Sequence, residues 1–177
     1  VLGENGILST ARAGLVVIDT STSEPDSTRR LREALAAQGV RLVDAPLART
    51  PKEAEEGRLN TMVGADDDTF AQIRPVLAAF CENIFHVGPP GAGHTLKLVN
   101  NFMALTIAAS IAEAFAVAAK AGVALDKLVE VVSQGALNSG IFQAMGRGAA
   151  EGDLTRMQFS IENAAKDLRY YTHLAES

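Results

Sequence analysis

The chain has 177 residues, a net charge of −5 and 47% hydrophobic residues. That content can form a sizeable core, and the diffuse acidity leaves no basic surface for a nucleic acid or an anionic membrane. We therefore predict neither partner. The single cysteine, Cys81, excludes an internal disulfide and fits a reducing cytoplasm. Its apolar surroundings indicate a buried structural thiol at the end of a helix.

Strand and helix patterns alternate over the first 90 residues. Helix patterns start near Ser23 and at Asp66, and a short helix is predicted after Thr50. Short apolar runs predict buried strands at residues 15–19, 40–46, 60–64 and 84–87. This alternation predicts an α/β fold with a largely parallel sheet.

Strand patterns stop after residue 90, and helical ones take their place. No glycine or proline interrupts residues 94–121, which predicts one helix of about 28 residues. Further helices are predicted at residues 126–132, with Asp126 as the cap, and at 141–149 and 160–174. The change from alternating strands and helices to helices alone predicts two domains, residues 1–90 and 91–177.

The apolar stretch at residues 102–119 is long enough to raise the possibility of a membrane helix. Asn100 and Asn101 border it and Glu113 interrupts it, and alanine supplies much of its hydrophobicity. These features favour a helix buried between domains. The alanines also permit close approach of a second helix, which predicts self-association.

The start of this helix carries the strongest functional pattern, Gly91-x-Gly93-x-x-x-Lys97-x-x-x-Asn101. Lys97 and Asn101 are four residues apart and share one helix face. The helix dipole and apolar neighbours disfavour an ammonium group, so we expect a lowered lysine pKa and a capacity for general acid catalysis. The alternative is an ordinary surface lysine. Leu96 occupies the third glycine position of a dinucleotide-binding loop, which excludes that interpretation.

This pattern resembles the catalytic segment of the β-hydroxyacid dehydrogenases. That family includes 3-hydroxyisobutyrate dehydrogenase, tartronate semialdehyde reductase and sulfolactaldehyde reductase, with 6-phosphogluconate dehydrogenase as a distant relative. Other segments resemble the family in the same order along the chain, at residues 17–25, 44–47, 57–64 and 166–168.

The resemblance implies the second half of a Rossmann-type domain, followed by an all-helical domain joined through a long interdomain helix. The family's N-terminal Gly-x-Gly-x-x-Gly half has no counterpart in this sequence, and the last helices also have none. Residues 1–90 then resemble the C-terminal part of a dinucleotide-binding domain, and residues 91–177 resemble an incomplete substrate and dimerisation domain.

The resemblance also assigns residue roles. It implies that Lys97 is the general acid and base, that Asn101 positions the reacting oxygen, and that Thr22 and Lys166 hold NAD or NADP. It further implies a homo-oligomer, a dimer or a tetramer. From the residues alone, Thr22 is a turn hydroxyl and Lys166 an exposed helix lysine.

One loop departs from the commonest family pattern. Ala48-Arg49-Thr50 stands where most members carry Ser-Gly-Gly, and it is similar to the Gly-Arg-Thr loop of sulfolactaldehyde reductases. A guanidinium fork pairs with carboxylate, sulfonate or phosphate, so Arg49 and Thr50 are expected to bind a small anionic substrate. The alternative is a solvated loop arginine.

Several interpretations stay open at this stage. The reaction can be of the 6-phosphogluconate type, or the chain can be a non-catalytic remnant that oligomerises through its helices. We interpret His94 as a helix-start residue rather than the acid–base group. His86 and His173 lack ligands at metal-binding spacing, so no metal site is predicted.

Overall fold

A computed structural model describes residues 1–177, except for the side chain of Leu154. The chain divides into two compact units, one formed by residues 1–99 and 167–177 and the other by residues 100–166. The first unit contains the sheet, and the second is helical.

The sheet of the first unit is dominated by parallel pairing, as the sequence predicts. Parallel ladders join β1 to β2 and β4 to β5, whereas β2 and β3 pair antiparallel with β4 over one to two residues each. The predicted strand at residues 40–46 is shorter than expected, because Pro46 has no N–H to donate and separates β2 from β3. The strands are β1 (Val16–Asp19), β2 (Arg41–Asp44), β3 (Leu47–Ala48), β4 (Leu59–Gly64) and β5 (Cys81–Gly88).

Three helices connect these strands. Proline supplies the fixed backbone angle at the starts of α1 and α2, and the carboxylate of Asp66 accepts the N–H of Thr69 at the start of α3, at 2.8 Å. The helices are α1 (Pro25–Ala36), α2 (Pro51–Glu55) and α3 (Asp67–Leu77), and a 3-10 turn covers Ile7–Ser9. The main apolar cluster between the sheet and α3 comprises Val43, Ala45, Val63, Ala65, Ile73 and Leu77.

The sequence prediction for Cys81 is right about burial and wrong about the element that contains it. It lies at the first position of β5 and not at the end of a helix, because α3 stops at Leu77 and the chain turns before the strand. The side chain is buried, as expected, and burial raises the pKa of the thiol.

Helices account for the chain after β5. No strand occurs among the described residues from 94 to 177. The prediction that Asp126 caps the next helix is wrong: Ala124 occupies the cap position without a side-chain hydrogen bond, and Asp126 lies in the first turn. The helices are α4 (Ala92–Lys120), α5 (Leu125–Ser133), α6 (Gly140–Glu151) and α7 (Ile161–Glu176), with a 3-10 turn at Leu154–Arg156.

The second unit packs around aromatic and small residues. The rings of Phe115 and Phe142 lie 6.0 Å apart between centroids and are tilted at 55°. A Cβ atom on Gly146 would lie 3.1 Å from the Phe115 ring and 3.2 Å from Val129, so the glycine permits this close approach.

Helix α4 is less buried than its sequence predicts. By length and composition alone it could cross a membrane, and only 6% of its most apolar 18-residue stretch is buried within this chain. Met103, Ile107 and Val117 are among its exposed apolar side chains. Most of this stretch is therefore exposed in the chain by itself.

Candidate active site at the start of helix α4

Two glycines shape the turn that leads from β5 into α4. Gly91 has a φ of 98°, in the left-handed region that glycine adopts readily. Gly93 lies against the strand ends, where a Cβ atom would be 2.4 Å from the carbonyl oxygen of Met62 and 2.7 Å from that of Asp44. The Gly-x-Gly pattern therefore permits one special backbone angle and one close approach of helix to sheet.

The buried carboxylate of Asp44 anchors this turn. Its oxygens accept the backbone N–H of Gly91 at 2.7 Å and that of His94 at 2.9 Å. Asp44 is fully buried at the carboxyl end of β2. A carboxylate is favoured at a helix N-terminus because the free N–H groups and the helix dipole are positive there. Helix α4 is thus fixed to the sheet at its first turn.

Lys97 lies one turn further along α4 and is only 9% exposed. Lysine is almost never buried unless it is paired or has a functional role. Asn101 follows one turn later and is half-buried, so the two side chains share a face of the continuous helix. The arrangement provides an amine and an amide side by side, which are groups that can hold and protonate one oxygen atom.

His94 occupies the first turn of α4, as the sequence interpretation has it, and is 0% exposed. Its Nε2 lies 3.1 Å from the carbonyl oxygen of Ser21, and its Nδ1 lies 2.6 Å from Oγ1 of Thr28. Both ring nitrogens are therefore engaged inside the protein, so the imidazole is poorly placed to exchange a proton with a substrate.

Thr22 is half-buried in the turn between β1 and α1. The preceding residue, Ser21, donates its N–H to the carboxylate of Asp19 at 2.9 Å. Because β1 and β2 are parallel and Asp19 pairs with Asp44, this turn lies at the same sheet edge as the start of α4. Nucleotide cofactors of doubly wound folds bind at the carboxyl ends of parallel strands, so the residues at this edge fit one.

Arg49 and Thr50 both have hydrogen-bond partners within the protein. The Arg49 guanidinium pairs with the Glu82 carboxylate and donates to the carbonyl oxygen of Arg58 at 2.6 Å. The same contact lowers the pKa of Glu82. Thr50 and Glu53 form a reciprocal cap at the start of α2, which lowers the pKa of Glu53.

The backbone of Arg49 is also unusual. Its φ of 86° lies in the left-handed region, which glycine adopts readily. A side chain in that region costs about 1–2 kcal/mol. The loop therefore keeps a glycine-like backbone while carrying a guanidinium.

Lys166 lies on α7 and is half-buried, and the next residue, Asp167, is buried.

Among the described residues, no group of three or more His, Cys, Asp or Glu could hold a metal ion.

Sequence reasoning placed Asp44 in a segment that resembles the family and His94 at the helix start, but it did not predict the hydrogen bonds of either residue. Two signals were available: an aspartate at a strand end before Ala-Pro, and a histidine directly after the Gly-x-Gly turn. Their partners lie about 50 to 70 residues away in the chain, so spacing alone could not reveal them.

Comparisons with known proteins match this architecture. The NAD binding domain of 6-phosphogluconate dehydrogenase matches residues 1–88, and the NAD-binding domain of NADP-dependent 3-hydroxyisobutyrate dehydrogenase matches residues 91–177. The 2-(hydroxymethyl)glutarate dehydrogenase of Eubacterium barkeri is 36% identical over 167 residues, which are 94% of this chain and 55% of that protein.

Solved structures agree. The 3-hydroxyisobutyrate dehydrogenase of Mycobacterium tuberculosis, solved with L-serine, has a TM-score of 0.86 at 29% identity, over 96% of this chain and 60% of its own. Psf3 in complex with NADP+ and 2-OPP has a TM-score of 0.83 at 25% identity, over the same shares. This chain therefore spans a little over half the length of these proteins.

The matched domains define a nucleotide-binding protein whose cofactor is NAD or NADP, which confirms that prediction. The fold prediction is confirmed as well. The chain belongs to the β-hydroxyacid dehydrogenase family.

Proposed function

We propose that this protein is an oxidoreductase that interconverts a small β-hydroxy acid and its semialdehyde acid, with Lys97 as general acid and base. The observation that carries the proposal is the buried Lys97, one turn after the anchored Gly-x-Gly start of α4. The relatives are hydroxyacid dehydrogenases, named for hydroxyisobutyrate, threonate and serine, which supports this class of reaction.

The chemistry follows from the groups on α4. The bound nicotinamide supplies or accepts a hydride. During reduction of an aldehyde, Nζ of Lys97 donates a proton to the carbonyl oxygen, which becomes the hydroxyl. During oxidation, the same amine takes the hydroxyl proton. The Asn101 amide donates to this oxygen and fixes its position, so that the bound substrate is oriented for proton transfer.

Other residues would hold the cofactor and the far end of the substrate. Thr22 and Lys166 contact the cofactor in this proposal, and Arg49 with Thr50 binds the acid group, a carboxylate or a sulfonate. Anion binding requires the Arg49 guanidinium to exchange Glu82 for the substrate, since the two side chains are paired in the structure. The left-handed backbone at Arg49 supports a functional loop, because strained residues cluster at ligand sites.

The exposed face of α4 supports self-association as a dimer or tetramer. A helix of 29 residues that is this apolar and this exposed would be covered by a second copy. The same observation fits the second candidate, a non-catalytic module that oligomerises through α4. The buried, free Cys81 fits a cytoplasmic location for either candidate.

Cofactor titration separates these candidates. The full-length natural protein is titrated with NADH and NADPH. Turnover is measured with hydroxyisobutyrate, threonate and serine in the presence of NAD+ or NADP+, and with succinic semialdehyde and sulfolactaldehyde in the presence of NADH or NADPH. Saturable cofactor binding with turnover of at least one acid supports the dehydrogenase. Absence of binding to either cofactor would refute it and leave the oligomerising module.

A further inference from the structure

His94 links the start of α4 to the turn that contains Thr22. The carbonyl oxygen of Ser21 can only accept a hydrogen bond, so Nε2 of His94, at 3.1 Å, carries the proton. Nδ1 lies 2.6 Å from Oγ1 of Thr28, whose hydroxyl also donates to the carbonyl oxygen of Glu24 at 3.2 Å. One buried ring thus joins the β1–α1 turn, α1 and α4.

This contact fixes a whole peptide group. The Ser21 carbonyl and the Thr22 N–H belong to one planar trans peptide, so they point in opposite directions. The carbonyl points at the buried ring of His94, and the Thr22 N–H therefore points away from the ring. The N–H of Ser21 is held by Asp19 on the other side. Ser21 is restrained at both ends, and the restraint determines where Thr22 presents its donor.

His94 is also held in place at the start of helix α4, which carries Lys97. The backbone N–H of His94 is held by the Asp44 carboxylate, and Lys97 follows three residues later on α4. A shift of the histidine ring would therefore change the position of Thr22 relative to Lys97.

We infer that His94 is a positioning residue that orients the Ser21–Thr22 peptide group to donate to the nicotinamide cofactor, in register with Lys97. The inference rests on the proposed function. It gives His94 no proton-transfer role, because neither ring nitrogen is available to a substrate.

Two substitutions to amide residues distinguish the roles of the two ring nitrogens of His94. Glutamine places its Nε2 near the histidine Nε2, and so His94→Gln keeps a donor for the Ser21 carbonyl. Asparagine reaches only the Nδ1 position, and so His94→Asn loses that donor. The conservative core variant Ile73→Val lies outside this network and serves as the control for general destabilisation.

The first readout needs no cofactor. Hydrogen–deuterium exchange of the segment at residues 19–24 is compared in the full-length protein. We expect exchange in His94→Asn to be at least about tenfold faster than in the wild type, and exchange in His94→Gln to be within about threefold. In the wild type, 15N-labelled histidine should show a proton on Nε2 of His94.

The second readout is cofactor affinity. The dissociation constant for NADH or NADPH should rise about tenfold in His94→Asn, a change of about 1.4 kcal/mol. It should stay near the wild-type value in His94→Gln and Ile73→Val, and the pH profile of turnover should not shift in any variant. An Nδ1–H tautomer, or equal cofactor affinity in His94→Asn and wild type, would overturn the inference alone. Failure of the wild type to bind cofactor would overturn the proposed function with it.

Discussion

Asp44 and His94 are 50 residues apart in sequence, yet the backbone N–H of His94 donates to the Asp44 carboxylate at 2.9 Å. A second N–H, from Gly91, reaches the same carboxylate at 2.7 Å. These two bonds set the first turn of α4 on the end of β2. The position of Lys97 relative to the sheet is therefore determined by a residue that takes no part in the proposed chemistry.

Asp44→Asn tests this anchor. The amide presents an N–H group to one of the two backbone donors, so one buried donor loses its partner. We expect the free energy of unfolding at pH 7 to fall by about 1–3 kcal/mol, measured by urea denaturation. Asp66→Asn is the matched control, because Asp66 also caps a helix but is exposed, and asparagine caps about as well as aspartate. Equal losses in the two variants would contradict the anchor.

The lowered pKa of Asp66 leads us to predict that stability depends on pH in the acid range. The N–H and hydroxyl of Thr69 both donate to its carboxylate and lower its pKa below the usual 3.8. A lowered pKa in the folded state contributes stability that is present above the unfolded pKa and is lost as the pH falls. Urea midpoints measured from pH 7 downward should therefore drop less steeply below about pH 4 in Asp66→Asn than in wild type. Parallel curves would show that this cap does not contribute to acid unfolding.

Gly93→Ala should disrupt the site by steric contact. Its Cβ would lie 2.4 Å from a backbone carbonyl oxygen of β4, which cannot move as a flexible side chain would. Overpacking of this kind costs about 1–3 kcal/mol, and the shift of α4 should also reduce turnover. Gly140→Ala adds the same methyl group where no atom lies within 4 Å, and should leave the melting temperature nearly unchanged. A stable, active Gly93→Ala would show that the helix start can move.

The sequence predicted most of the elements but little of the site's architecture. Helix α4 was predictable because no glycine or proline interrupts it, and the strands because their apolar runs are short and bounded. The start of β5 at Cys81 was not, since the apolar run into it reads equally well as the end of a helix. The roles of Asp44 and His94 were not predictable, because they depend on contacts between distant segments of the chain.

Lys97→Ala should lower turnover about a hundredfold or more, which is the usual contribution of a general acid, with a smaller change in the Michaelis constant. Lys97→Arg should not restore turnover, because a guanidinium does not release its proton near neutral pH. Lys120→Ala, at the exposed end of the same helix, is the control and should keep normal rates. Normal turnover in Lys97→Ala would end the assignment of Lys97 as the acid.

Substitutions at Arg49 and Glu82 test whether Arg49 binds the acid group of the substrate. If the substrate's acid group displaces Glu82 from Arg49, then Glu82→Gln, which removes the competing charge, should lower the Michaelis constant for a charged aldehyde. Arg49→Ala should raise that constant about tenfold or more, because a charge-assisted contact worth about 1.5–3 kcal/mol is lost. Neither change should affect an uncharged aldehyde of the same length.

Arg49→Gly completes this test, because it removes the same guanidinium while relaxing the left-handed backbone at φ 86°. It should match Arg49→Ala in its effect on the Michaelis constant and exceed it in stability by about 1–2 kcal/mol. The two properties separate binding from backbone strain: steady-state kinetics report the first and urea denaturation the second. If both variants keep the wild-type preference for the charged aldehyde, Arg49 serves only to hold Glu82 and the carbonyl oxygen of Arg58, and substrate charge is recognised by other groups.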